Sequence, residues 1–94
     1  MDGLLKEFKQ RMHIFHDDEN DSLIRILELS YEYIQELCGE FNIEKESIGV
    51  ELVLERSRYV YNEQTEFFEE NFSSLITSFG LKNIVYRSND NEQL

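Results

Sequence analysis

The chain has 94 residues and a formal net charge of −11 at pH 7, from 20 acidic and nine basic side chains. A length well under about 150 residues predicts one domain, and the acidic balance disfavours sequence-independent binding to nucleic-acid phosphates. The lack of proline and a hydrophobic content of 40% favour a helical globular fold and exclude collagen-like and low-complexity chains.

The first predicted helix lies near the N-terminus, where four apolar side chains recur at helical spacing: Leu4, Leu5, Phe8 and Met12. Asp2 precedes them and is expected to cap this helix. The polar run at residues 16–21 predicts a solvated loop, after which Asn20 or Asp21 is expected to cap the next helix.

The second predicted helix carries two apolar stripes. One stripe consists of Leu23, Leu27, Tyr31, Ile34 and Cys38, and the stripe beside it consists of Ile26, Leu29, Tyr33 and Leu37. Two stripes imply two packing partners for this helix. It is expected to end at Gly39, because glycine adopts a positive φ without the Cβ clash of other residues.

Two further helices are predicted. Ser47 is expected to cap the third, with a buried side formed by Ile48, Leu52, Val53, Tyr59 and Val60. The fourth is expected to open at Asn62 or Thr65, to end before Gly80, and to bury Phe68, Phe72, Leu75, Ile76 and Phe79. The predicted fold class is therefore all-α, with a four-helix domain over residues 1–80.

Residues 81–94 carry little helical signal, because the first part is β-branched and the last part is polar. We expect an extended or disordered C-terminal tail there. Within it, Ile84, Val85 and Tyr86 are candidates for docking to a partner in extended form. Packing of these three side chains against the fourth helix is the simpler alternative.

No pattern typical of catalysis, of a cofactor or of a metal site stands out in the sequence. His13 and His16 lie near two aspartates, but no third ligand is indicated, and a solvated loop is the simpler interpretation. Cys38 lies in an apolar stripe, where cysteine usually acts as a small buried hydrophobe. We expect no enzyme activity, no cofactor and no metal.

Cellular location is predicted from cysteine content and hydropathy. A single cysteine is typical of a protein made in a reducing cytosol. The apolar runs fall far short of the roughly 20 residues that cross a bilayer, and the acidic start is unlike a secretory signal. We therefore expect a protein that stays in the cell that makes it and has no membrane partner.

Protein association is the function class that the residue types favour. A short chain leaves much apolar surface outside its core, and tyrosine and arginine are enriched at interfaces. The predicted interface residues lie on the third and fourth helices: Arg56, Arg58, Tyr59, Tyr61, Phe68 and Phe72. Arg56 and Arg58 are expected to pair with acids of a neighbouring subunit, and pairing of Arg56 with Glu51 or near Glu55 in its own helix is the alternative.

Four blocks of the sequence resemble the head-tail connector proteins of tailed bacteriophages, also called head-completion or DNA-packaging adaptor proteins. The blocks are residues 5–15 followed by HDDEND at 16–21, ELCGEF at 36–41, ELVLERSRYVYN at 51–62 and EFFEENFSS at 66–74. They follow one another in the order seen in that family. The similarity covers about residues 4–80 and does not reach residues 81–94.

The resemblance implies an all-α subunit that assembles with copies of itself into a ring of about a dozen. Such a ring stacks between the portal protein and a tail or stopper protein, extends the DNA channel and completes the head. The implied location is the bacterial cytoplasm during virion assembly and then the head-tail junction of the virion.

DNA would pass through such a ring without specific binding, because an acidic wall repels the duplex. The candidates for the channel lining are Asp17, Asp18, Glu19 and Asp21. Their simpler role is to form the loop that caps the second helix.

A small acidic regulator is the alternative from another class. It would mimic DNA and occupy a basic groove on an enzyme or other protein. Such a protein is expected to stay monomeric or dimeric and to display its acids in a regular array, whereas a connector is expected to form a ring.

Overall fold

The computed structural model describes the backbone of residues 1–92 and the side chains of residues 1–84. Within this range it contains helices and connecting loops but no strand, so the all-α prediction is confirmed. The helices are α1 (Asp2–Met12), α2 (Asn20–Cys38), α3 (Ser47–Tyr61), α4 (Phe68–Asn71) and α5 (Ser73–Glu92), with one 3₁₀ turn (Thr65–Phe67) before α4.

The first three helices lie where the sequence predicts them, but their N-caps differ. Met1, Glu19 and Glu46 hold the N-cap positions, and within the described chain none of them makes a side-chain capping hydrogen bond. The predicted caps are instead residues of the first helical turn: Asp2, Asn20, Asp21 and Ser47. Asp2 and Asp21 still stabilise their helices there, because a carboxylate near an N-terminus complements the helix dipole.

Positive φ angles end the first two helices. Gly39 follows α2 with φ 89°, and its N–H donates to the Gln35 carbonyl at 2.8 Å, so the predicted glycine stop is confirmed. His13 ends α1 in the left-handed region, with φ 59° and ψ 41°. Its backbone N–H donates to the Gln10 carbonyl at 3.2 Å.

The predicted fourth helix is divided into two in the structure. After the 3₁₀ turn, α4 spans one turn and stops at Phe72, whose φ of −116° and ψ of 16° interrupt the helix before α5 begins. The expected stop at Gly80 was wrong, because α5 continues through this residue. Gly80 instead lets α5 lie close to α2, since a Cβ added there would be 3.6 Å from the Cys38 Cα.

The C-terminal tail differs from the predicted extended or disordered form, because residues 81–92 continue α5. Asn83 gives a physical reason, because its amide donates to the carbonyls of Cys38 and Glu40 at 2.8 and 2.9 Å. These bonds tie α5 to the C-terminal end of α2, and such tertiary contacts override weak helix propensity. Residues 93–94 lie outside the described residues.

The core lies between α2 and α3 and has two parts. At one end α1 and the loop after it close over a cluster formed by Phe8, Ile14, Leu23, Leu27 and Leu54. At the other end, the α3–α5 region and the loop after α2 complete a cluster formed by Ile34, Cys38, Phe41, Leu52, Val53, Phe68 and Phe79. This core buries one apolar stripe of α2 and leaves its neighbouring stripe near the surface.

Across the part of the chain that the structure describes, no helix is long and apolar enough to span a membrane.

Candidate interaction surface

Three of the predicted interface residues form an aromatic cluster inside the chain. Phe68 is fully buried, so the structure places it in the core and not on the surface. The half-buried Phe72 ring stacks on Phe68 with 5.1 Å between ring centroids, and the Tyr59 ring meets Phe68 edge-on at 5.5 Å. The Tyr59 hydroxyl accepts a hydrogen bond from the Asn71 amide at 3.0 Å.

Two more predicted interface residues have polar partners within the chain. Arg58 donates to the Glu55 carboxylate at 2.8 and 3.1 Å, and this bonding raises the pKa of Arg58. The Tyr61 hydroxyl donates to Glu19 at 3.2 Å, and the hydrogen bond to this carboxylate raises the pKa of Tyr61. The Arg58 guanidinium and the Tyr61 hydroxyl therefore already have carboxylate partners in their own chain.

Arg56, unlike Arg58 and Tyr61, contacts aromatic rings and no carboxylate among the described residues. Its guanidinium carbon lies 3.8 Å from the centroid of the Tyr33 ring and 5.4 Å from that of Phe68, a geometry that favours cation–π attraction. Arg56 makes no ion pair with any carboxylate among the described residues. The alternative of pairing with Glu51 is not realised, and it is Arg11 of α1 that donates to Glu51, at 3.0 and 3.1 Å.

A surface groove of about 340 Å³ surrounds this arginine. We call it the Arg56 groove, and its lining residues are Ile26, Leu29, Ser30, Tyr33, Arg56, Val60 and Thr65. Burial and the neighbouring Glu69 carboxylate raise the pKa of Tyr33, against the opposing effect of Arg56. The Tyr33 ring therefore stays neutral near pH 7 and supports the guanidinium as an uncharged platform.

Ser30 contributes a buried hydroxyl to this groove. It is only 2% exposed, and its Oγ has no hydrogen-bond partner among the described residues. The other buried serine, Ser57, donates to the Val53 carbonyl at 2.8 Å. A buried polar atom without a partner is costly, and this Oγ has almost no accessible surface, so it lies beneath the groove and not at its surface. The sequence pattern did not single out Ser30.

The second apolar stripe of α2 forms one wall of the Arg56 groove. Residues of the first stripe, such as Leu23, Leu27 and Ile34, are fully buried. In the second stripe Leu29 is 46% exposed and Leu37 is 37% exposed. Together, the apolar wall and the guanidinium can bind an apolar side chain that lies next to a carboxylate.

The segment over residues 13–19, here called the Phe15 loop, is the second prominent surface feature. Phe15 is 84% exposed, the highest value among the large apolar side chains described. Lys9 fixes the loop by donating to Asp17 at 2.8 Å and to Asn20 at 2.7 Å. Of the acids predicted to line a channel, Asp17 and Glu19 accept hydrogen bonds from Lys9 and Tyr61, while the Asp18 side chain is 93% exposed and its Oδ2 lies 3.9 Å from the His16 Nδ1.

The contact with Lys9 predicts how Asp17 titrates. The Lys9 hydrogen bond lowers the pKa of Asp17, so its contribution to stability is present above the usual aspartate pKa and is lost as the pH falls through the folded-state value. We expect Lys9→Met to raise the pKa of Asp17 toward its ordinary value, measured by NMR titration of the carboxyl carbon. Lys6→Met is the control, and an equal shift in both variants would contradict the assignment.

A row of exposed acids follows the outer face of α2. It consists of Asp21, Glu28, Glu32 and Glu36, with Arg25 in the same row. Only Asp21 was among the predicted channel residues. Glu28, Glu32 and Glu36 could have been identified from the sequence, because they follow Asp21 at intervals of seven, four and four residues. Positions with this spacing lie on one face of a helix.

The predicted docking residues of the tail lie on α5. Ile84 is 54% exposed there, one turn from Leu81, which is 62% exposed. The backbones of Val85 and Tyr86 are helical, and their side chains lie outside the described residues. The proposal that these residues form an extended docking strand does not fit their helical backbone.

The described residues include no group of three or more histidine, cysteine or acidic side chains placed to hold a metal ion. Cys38 is fully buried, and burial raises the pKa of its thiol, which disfavours the thiolate needed for nucleophilic chemistry.

Comparisons with known proteins found no matching family model, no matching curated protein and no matching solved structure.

Proposed function

We propose that the chain is a subunit of the ring that joins head and tail in a tailed bacteriophage. The ring stacks between the portal and a tail or stopper protein, extends the DNA channel and completes the head. The four sequence blocks that resemble connector proteins support this proposal, together with the all-α fold and the net charge of −11.

The observation that carries the proposal is the incomplete burial of α2. Its second apolar stripe remains half exposed around Arg56, a cation without an ion-pair partner among the described residues of an acidic chain. Apolar and aromatic side chains around an arginine are typical of the centre of a protein interface. A subunit that contacts its neighbours through this surface would cover it.

The acidic row on α2 supports a role as a conduit. Asp21, Glu28, Glu32 and Glu36 present negative charge along one side of a 19-residue helix. If this face lines the channel, it repels the phosphates of passing DNA and gives no counterion-release contribution to binding. The row thereby extends the predicted channel lining beyond Asp21.

Light-scattering mass of the protein with and without a cognate portal ring tests the proposal. Moderate salt is needed because it screens repulsion between acidic copies. We expect a ring-sized species, or stoichiometric binding to the portal. We expect Arg56→Glu to weaken either one, while Lys82→Glu, which also replaces a positive charge by a negative one but at an exposed position on α5, does not. A persistent monomer that does not bind the portal would contradict the proposal.

The same acidic row favours one second candidate function. A protein that mimics DNA displays carboxylates in a regular array, as α2 does, and binds a basic groove on its target. The two functions differ in the mass measurement, because a mimic remains a monomer or dimer and is indifferent to the portal. Binding of the chain to a basic DNA-binding protein in competition with DNA would then support the mimic.

A further inference from the structure

We infer that the Arg56 groove of one subunit receives Phe15 and Asp18 of a second copy of the chain, so that copies join head to tail. The inference rests on the proposed function, because a ring needs one contact that repeats from copy to copy. It specifies the two surfaces that meet in that contact.

The Phe15 loop is preorganised for docking. The bonds from Lys9 to Asp17 and Asn20 hold its second half against α1, and Glu19 is held by Tyr61 of α3. Phe15 is therefore presented on a fixed support while its ring is 84% exposed. Binding loses less conformational entropy when the docking segment is already ordered.

The chemistry of the groove matches that loop. Leu29, Ile26 and Val60 offer apolar surface for the Phe15 ring. Asp18 carries a largely exposed carboxylate three residues after Phe15, and Arg56 offers guanidinium donors that no described carboxylate engages. The pairing of an acidic loop with a cation in an otherwise acidic chain is complementary in charge.

The size of the groove permits this occupant. A cavity of about 150 Å³ lined by apolar side chains is enough to hold benzene. The Arg56 groove offers about 340 Å³, which leaves room for a phenyl ring together with an adjoining carboxylate.

Asn20, next to the Phe15 loop, and Leu29, in the wall of the groove, lie on opposite sides of α2. Lys9 of α1 donates to Asn20, so Asn20 marks the side of α2 next to α1 and the Phe15 loop. Leu29 follows nine residues later and therefore points about 180° away. A surface and its complement on opposite sides of one subunit generate a chain of copies that closes into a ring or extends as a filament.

Mixing two variants tests this arrangement. Phe15→Ser removes the docking side chain, and Leu29→Glu places a charge in the groove wall without touching the core. Leu81→Ser and Ile48→Glu are the matched controls, because these apolar residues are also exposed, by 62% and 36%, at other sites. Sedimentation velocity from micromolar to about 1 mM protein would detect dissociation constants across that range.

We expect the wild-type chain and both controls to associate, and each of the two variants to associate at least about tenfold more weakly. An equimolar mixture of the two variants is expected to form a one-to-one dimer and nothing larger, because one intact groove meets one intact loop. Wild-type protein that stays monomeric to 1 mM would overturn the inference, as would a mixture that behaves like its separate components.

A charge exchange tests the role of Asp18. Asp18→Lys and Arg56→Glu are each expected to weaken association, and a chain that carries both changes is expected to recover it. Loss of association that persists in the double variant, while its helical circular dichroism is unchanged, would contradict the contact between these two side chains.

Failure of this inference can be separated from failure of the proposed function. If both variants bind a portal ring with wild-type stoichiometry and affinity, the proposed function stands and the head-to-tail contact is wrong. If the mixture forms the expected dimer but the wild-type chain does not bind the portal, the contact stands and the proposed function is wrong.

Discussion

Replacing Phe68 with alanine is expected to lower the free energy of unfolding by about 3–5 kcal/mol, which is typical of a fully buried phenylalanine. Phe68 is 0% exposed, and its ring contacts those of Tyr33, Tyr59 and Phe72. The cavity left behind would remove the common contact of this aromatic cluster. It would also remove one of the two rings that lie near Arg56.

Phe67 provides the matched control, because the same substitution at the adjacent position removes a side chain that is 51% exposed. Phe67→Ala is expected to change stability by about 0.5 kcal/mol or less, as at most surface sites. Urea unfolding followed by circular dichroism measures both changes in stability. If Phe68→Ala is already unfolded without urea, the milder Phe68→Leu variant takes its place in this comparison. Equal losses at the two positions would contradict the assignment of Phe68 to the core.

Gly49→Ala is expected to destabilise the protein by about 1–2 kcal/mol, even though alanine is about 1 kcal/mol better than glycine inside a helix. A Cβ at Gly49 would lie within 3.0 Å of three ring carbons of Phe41. That ring cannot easily move, because Tyr31 and Phe79 meet it edge-on, each with 5.2 Å between ring centroids.

Gly80→Ala is the opposite case on another helix. Its added Cβ would be 3.6 Å from the nearest atom, the Cys38 Cα, which is ordinary van der Waals contact. Only the gain in helix propensity remains, so we expect an increase in stability of about 0.5–1 kcal/mol. Thermal unfolding of both variants measures the contrast, and a destabilised Gly80→Ala protein would show that α5 lies closer to α2 than the structure places it.

The regular helices could be predicted because their apolar spacing is a local property. The stripe containing Leu23, Leu27 and Ile34 identified the buried side of α2, and Gly39 identified its end. The neighbouring stripe indicated a second packing partner for α2, and the structure shows that side partly exposed. The N-caps were displaced by one or two residues because capping depends on backbone angles that the sequence does not determine.

The C-terminal part of the fold depended on tertiary contacts. Gly80 was interpreted as a stop because glycine commonly ends helices, but here its missing side chain permits close packing against Cys38. Nothing in the local sequence shows that the Asn83 amide reaches two carbonyls at the end of α2, 45 and 43 residues earlier in the chain.

The Arg56 groove could be predicted only in part. The sequence identified Arg56 and the apolar residues of α2, but it left open whether this arginine pairs within its own helix. In the structure Arg11 of α1, which is distant in sequence, engages Glu51, while Arg58 of the same helix engages Glu55. The residue types around the groove can be read from the sequence. That Arg56 has no ion-pair partner among the described residues depends on the fold.

The burial of Cys38 makes the protein convenient for site-specific labelling. Its thiol is enclosed by α5, with Sγ 3.5 Å from the Ile76 carbonyl, and its raised pKa slows reaction with alkylating reagents. A cysteine introduced at an exposed site would therefore react first, without prior removal of the native one. Fluorescent or spin labels placed in this way would measure distances between copies and so test the proposed ring.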